Sequence, residues 1–184
     1  MSIAHDYASE SHTGTTGSTS AASFTWTHSG RAAASGGVQG AVVFTFVNTG
    51  ANHIAGVTYG GVAMVAVTSG QALDTAGEPG CCKAWFLGNS CAGDNQTVSV
   101  TCSQNAQVKY AVCATVTGSY NTKVHLPPVV LQEDGILAEQ NINTGGFYAI
   151  RYAGIFSGSA TPRGVGTNTT SLQQIDYTSS YYFQ

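Results

Sequence analysis

The residues that could do chemistry in this chain are few and widely spread. Gly88-Asn89-Ser90-Cys91-Ala92 stops one residue short of the nucleophile elbow G-x-S-x-G, and no helical pattern follows it. No motif ties a histidine to Cys91, so neither side chain reads as a nucleophile. The five histidines, His5, His12, His28, His53 and His125, lack the spacing that brings several ligands to one metal ion. They read as surface or loop residues. Ala92-Gly93-Asp94-Asn95 resembles a piece of a calcium loop, but regularly spaced acidic ligands do not follow, so it reads as a turn. Glu133 and Asp134 have the chemistry of a glycosidase pair, yet neighbours on a strand face apart. They read as a solvated turn. The expectation is therefore a protein that is not an enzyme and has no catalytic, metal-binding or cofactor-binding residues.

Cysteine adds little. Cys81, Cys82, Cys91, Cys102 and Cys113 are odd in number and show no C-x-x-C spacing, which argues against a zinc site or a redox dithiol. Adjacent Cys81 and Cys82 must point to opposite faces of a strand. Cys102 and Cys113 flank a short loop at residues 103–107, which leaves two readings open: a disulfide, or buried thiols acting as small hydrophobes.

Flat aromatic rings that could stack on sugars are another route to function. Trp26 and Trp85 fall inside strand patterns and read as core. Tyr120 and Tyr148 are further candidates. Tyr181, Tyr182 and Phe183 place three large aromatics within four residues of the chain end, where only another strand or subunit would cover them. These three are the candidate partner contacts.

Composition narrows the class. The 184 residues are 42% hydrophobic, enough for one domain with a real core. Charged residues are only 8%, against roughly 25% in an ordinary globular protein. Ser, Thr, Asn, Gln and 23 glycines supply the polarity instead, which suits short strands and many turns better than surface helices. With a net charge of −3 and its six Lys and Arg scattered singly, the chain has no basic stripe for nucleic acid. No apolar run approaches the ~20 residues of a membrane helix. The N-terminus lacks the basic start and apolar core of a secretory signal, which leaves two readings: a signal removed and a start Met added, or a protein not exported by that route, the second fitting one made and assembled in a cytoplasm.

The elements that must position these residues read as strands. Val57-Thr-Tyr-Gly60-Gly61-Val-Ala-Met predicts a tight β-hairpin, because glycine supplies the positive φ of a two-residue turn without steric cost. Phe24, Trp26 and His28 alternate with Thr25 and Thr27. Residues 40–48 are apolar on both faces, as in the central strand of a covered sheet. Residues 81–87, 95–102 and 107–117 predict further strands, and 69–80 a loop. Pro127-Pro128 excludes a central strand. Residues 129–131, 135–141 and 146–155 are weaker strand candidates, 157–170 a loop, and the closing segment 175–184 is aromatic and alternating. Helical candidates are confined to a turn or two at 136–140 and 171–174. The fold class predicted is all-β: a two-sheet antiparallel sandwich, jelly-roll or Ig-like, over residues 23–184. Residues 1–22 are Ser/Thr/Gly-rich with little to bury, and predict an extended arm outside the sandwich.

Phe24-Thr-Trp-Thr-His, Ala41-Val-Val-Phe, Val57-Thr-Tyr-Gly-Gly-Val-Ala-Met and Lys83-Ala-Trp-Phe-Leu, in that order, resemble a β-sandwich of phage virion proteins and bacterial surface proteins. The resemblance covers about residues 23–117. It rests on turn glycines and core residues, so it implies a fold and no catalytic residues.

Two functions fit. The first is a phage virion structural protein, a capsid decoration or cement protein on the capsid exterior, assembled in the host cytoplasm, which would account for the low charge, the Ser/Thr arm and the aromatic tail. Its partners would be the major capsid protein and copies of itself, for instance as a trimer. The arm and the aromatic tail would pair with neighbours by strand addition. The alternative is a carbohydrate- or receptor-binding module of a tail appendage or secreted protein, which needs aromatics on an exposed sheet face.

Overall fold

Gly60 and Gly61 form the bend about which the chain is organised. Their φ angles are +56° and +80°, both left-handed, as a type I′ hairpin turn requires. The structure, a computed structural model, describes residues 4–13, 23–29, 38–47, 53–74, 80–88, 95–103, 109–117, 156–157, 175–178 and 181–183. In chain order the strands are β1 (Ala4–Thr13), β2 (Ser23–His28), β3 (Val38–Val47), β4 (Ile54–Tyr59), β5 (Val62–Ala63) and β6 (Val65–Asp74). They continue as β7 (Gly80–Gly88), β8 (Gln96–Cys102), β9 (Lys109–Thr117), β10 (Phe156–Ser157), β11 (Ile175–Thr178) and β12 (Tyr181–Phe183).

Walking outward from the glycine turn, β4 pairs with β5, β3 with β7, β2 with β8 and β1 with β9, all antiparallel. This is one long hairpin. Rolling it up adds the pairings β3·β9 and β4·β8 and splits it into two sheets, β1-β9-β3-β7-β6 and β2-β8-β4-β5. That order is a jelly roll with one extra edge strand, β6, so it selects between the two sandwich types left open by the sequence. A third, small sheet, β10-β12-β11, approaches the larger one where β10 nears β7.

The two large sheets face each other across an apolar layer. Ala41, Val43, Val47, Trp85, Leu87, Ala111 and Cys113 come from the larger sheet, and Phe24, Ile54, Val57, Tyr59, Met64, Val98, Val100 and Cys102 from the smaller side. Strand alternation puts these residues on one face, and their burial supplies the main favourable term of folding. The larger sheet is apolar on its outer face as well. Phe46 and Tyr110, opposite each other in register, are both buried there with ring centroids 5.9 Å apart.

Three sequence expectations change. Residues 4–13, assigned to an arm outside the sandwich, form the edge strand β1, paired with β9 from Ala4↔Thr117 to Thr13↔Lys109. Backbone pairing needs no large side chains, which is why the composition hid it. Residues 69–74, expected as loop, belong to β6, where a register irregularity between Ala66 and Gln71 absorbs the turn-forming residues. The second arm of the glycine hairpin is only two residues long. After it the chain crosses at buried Met64 into the other sheet, held by Met64 N–H donating to the Val57 carbonyl at 2.9 Å. The candidate strands and turns between 118 and 155, and both helical candidates, lie outside the described residues.

The turn offers a direct check. A Cβ on Gly60 would sit 2.6 Å from Gln96 Oε1, a contact that a flexible side chain relieves, so the cost of Gly60→Ala comes from its left-handed backbone. Gly60→Ala is expected to lose about 1–2 kcal/mol in urea unfolding, and Gly60→Asn less. An unchanged midpoint would mean that the turn tolerates ordinary residues.

Candidate functional site

Two features stand out: the exposed face of the smaller sheet, and a buried polar cluster at one edge of the sandwich. On the first, alternation turns Ser23, Thr25 and Thr27 of β2 outward beside Thr97, Ser99 and Thr101 of β8 and Thr58 of β4. Register places them directly opposite one another: Ser23↔Thr101, Thr25↔Ser99, Thr27↔Thr97 and Thr58↔Ser99. Five of the seven are exposed, Thr58 and Ser99 half-buried. The result is a grid of hydroxyls about 4.8 Å apart across strands and roughly 7 Å apart along them. No charged side chain shares this face on the three strands.

The second feature joins the N-terminal edge of the larger sheet, β1, to the edge of the smaller one, β2. The register of β1 on β9 shifts between His5 and Tyr7, and at this irregularity the Asp6 carboxylate reaches Thr115 on β9. Thr115 Oγ1 donates to Asp6 Oδ2 at 3.0 Å. A carboxylate only accepts, so the one hydroxyl proton of Thr115 is committed, and His28 Nε2–H must donate to Thr115 Oγ1, 3.0 Å away. His28 is then the Nε2–H tautomer. Its Nδ1 accepts from Ser9 Oγ at 2.6 Å, and Ser9 Oγ in turn accepts from Trp26 Nε1 at 2.8 Å. The chain Trp26→Ser9→His28→Thr115→Asp6 runs in one direction, with each hydroxyl both accepting and donating.

His28 is fully buried, with Tyr7 and Tyr59 presenting ring edges at centroid distances of 5.2 and 5.8 Å. Burial pushes its pKa down to about 4, against a smaller upward pull from Asp6 and with a further downward push from His5. The imidazole is therefore neutral at pH 7. The ring is a structural clasp that joins the hydroxyls of Ser9 and Thr115 across the edge of the sandwich.

The expectation for the histidines as surface or loop residues thus fails at His28, because the Phe24-Trp26-His28 alternation carries the ring into the interior. His5 is exposed, and His53 is half-buried with its carbonyl accepting from Ser103 N–H at 2.8 Å. His125, Ser90, Cys91, Asp94, Glu133 and Asp134 lie outside the described residues. Asn95 takes a left-handed φ of +55° at the entry to β8, in keeping with a turn there. Trp85 is buried. Trp26, half-buried and packed on the core, is stacked with Phe24 at 6.1 Å. Neither is laid open for a sugar ring. Gly60 and Gly61 occupy their turn. Tyr181, Tyr182 and Phe183 form β12, paired on both sides by β10 and β11.

Cys102 and Cys113 are both buried and are not joined to each other by a disulfide. β8 and β9 belong to different sheets and are not neighbours, and both cysteines lie in the core between the sheets. Cys81 faces inward opposite Val47 and Cys82 outward opposite Phe46. Burial raises both, Cys81 to about 11, which makes them poor nucleophiles. Among the described residues no group of three or more His, Cys, Asp or Glu is placed to hold a metal ion.

No family model matches the chain, and no curated protein or solved structure matches it either.

Proposed function

We propose that the protein is a phage virion structural protein, a decoration or cement protein on the capsid exterior that stabilises the head through contacts with the major capsid protein and with copies of itself. The hydroxyl face of the smaller sheet carries this reading. A docking partner must strip water from whatever it covers, and burying an ion without a partner is far costlier than burying a hydroxyl. Each Ser or Thr both donates and accepts, so the face re-forms its hydrogen bonds against many partner groups. Three short strands offer only a few hundred Å², well below the ~800 Å² per partner of a stable pairwise complex. Such a contact holds when many act together, as on a repeating shell. Jelly rolls serve in viral capsids and also in lectins, so the fold supports this reading by analogy alone. The inward placement of Trp26 and Trp85 weighs against the carbohydrate-binding alternative.

The test is binding to purified heads that lack the protein. Thr25→Glu combined with Thr101→Glu puts two charges on the face at exposed positions. Occupancy is expected to fall at least tenfold while the thermal midpoint moves little, and wild-type binding should resist added salt because few ions are involved. Unchanged occupancy would reject the face as the docking surface. A glycan array at multivalent density tests the alternative.

A further inference from the structure

We infer that β1 is an exchangeable strand, able to seat on β9 of a second copy of this chain as it does on its own. Its attachment includes backbone pairing with β9, the polar chain to Trp26, His28 and Thr115, and the ring contact of Tyr7 with His28. Of its described side chains, Ala8 is the one buried hydrophobic, while Tyr7 is 40% exposed. Every receptor group lies on β2 or β9, at least 17 positions from the β1 residue it holds. A second copy presents the same groups in the same geometry, so exchange loses no contact. Residues 14–22, Gly-Thr-Thr-Gly-Ser-Thr-Ser-Ala-Ala, connect β1 to β2 of its own chain. Nine residues reach at most about 30 Å when extended.

The receiving strand supplies the other half of the argument. Tyr110, Ala111, Cys113, Ala114, Thr115 and Val116 of β9 are buried. Removing β1 would open the ladder edge of an apolar strand, which is a template for pairing with another chain. β9 therefore demands a β1, and a strand from a second copy fits it by identity. Exchange of an identical element is a low-cost route to oligomers. This inference concerns the chain's contacts with itself and does not require the virion reading.

Ala8 and Ala114 are directly opposed in register and both buried, so cysteines at the two positions report which chain supplies β1. Two full-length single variants, Ala8→Cys and Ala114→Cys, are mixed in denaturant, co-refolded at high concentration and oxidised. A heterodimer of twice 18.9 kDa on a non-reducing gel, linked between positions 8 and 114 by peptide mapping, is the expected result. The wild-type chain, with its native thiols, controls for other pairings. A second variant deletes residues 15–18 from the Ala8→Cys/Ala114→Cys double variant, which shortens the connection from β1 to β2 from nine residues to five. It should raise the linked dimer fraction severalfold over the undeleted double variant. Folded singles giving no 8–114 heterodimer, together with a deletion variant that stays a monomer with its disulfide inside one chain, would overturn the inference.

Discussion

Acidification from pH 7 to pH 4 is expected to remove up to about 3 kcal/mol of folding stability through His28 alone. The unfolded chain takes up a proton on this ring near pH 6.5, whereas the folded chain resists it until about pH 4. Between those values the unfolded state binds more protons, so stability falls as the pH falls. Above pH 6.5 both states are neutral and the effect vanishes. His5 is also shifted down by burial and adds to the same trend. The cause is geometric. Protonated Nδ1 must donate toward Ser9 Oγ, whose own proton then loses its acceptor, inside a site shut by Tyr7 and Tyr59. Urea unfolding at pH 4, 5, 6 and 7 measures the slope. His28→Gln keeps an acceptor for Ser9 and a donor for Thr115 without a titrating group in this range, so its stability should be nearly flat where the wild type falls. Parallel slopes for the two proteins would mean that His28 is solvated in the folded state.

Much of the sandwich is legible in the sequence because alternation and turn chemistry act locally. Phe24-Trp26-His28, Val98-Val100-Cys102 and the glycine pair each announce their own strand or turn. What is not local is hidden. β1 has the sequence Ala-His-Asp-Tyr-Ala-Ser-Glu-Ser-His-Thr, with no apolar stripe, and only its pairing with β9, about a hundred residues later, makes it a strand. The hydroxyl face is half legible. Thr25 and Thr27 alternate outward, as do Thr97, Ser99 and Thr101, but no local signal says that β2 lies beside β8. The burial of His28 follows from its phase with Phe24 and Trp26, and a search for metal spacing passes over it. Asp6 and Thr115 carry no signal at all until an irregularity in β1 turns the carboxylate toward the hydroxyl.

Trp85→Ala is expected to cost about 3–5 kcal/mol, a large part of the roughly 5–15 kcal/mol that holds a domain folded. Trp85 is 5% exposed, opposite Val43 at the centre of the inner face. Its removal opens a cavity that the rigid ladders on either side of β7 cannot close. Volume is one of three contributions here. Trp85 Nε1 donates to Thr45 Oγ1 at 3.0 Å, and Thr45 Oγ1 donates onward to the Lys83 carbonyl at 3.2 Å. Lys83 Nζ lies 4.9 Å from the Trp85 ring centroid. Trp85→Phe keeps most of the apolar volume and loses the indole donor, so it should cost about 1–2 kcal/mol. Lys83→Ala removes the cation from the ring and should cost under about 1 kcal/mol. Urea unfolding of the three variants orders the contributions. Trp85→Phe matching Trp85→Ala would place the stability in the Thr45 hydrogen bond, whereas the expected order, alanine far above phenylalanine and Lys83→Ala least, places it in the packing of the ring between the two sheets.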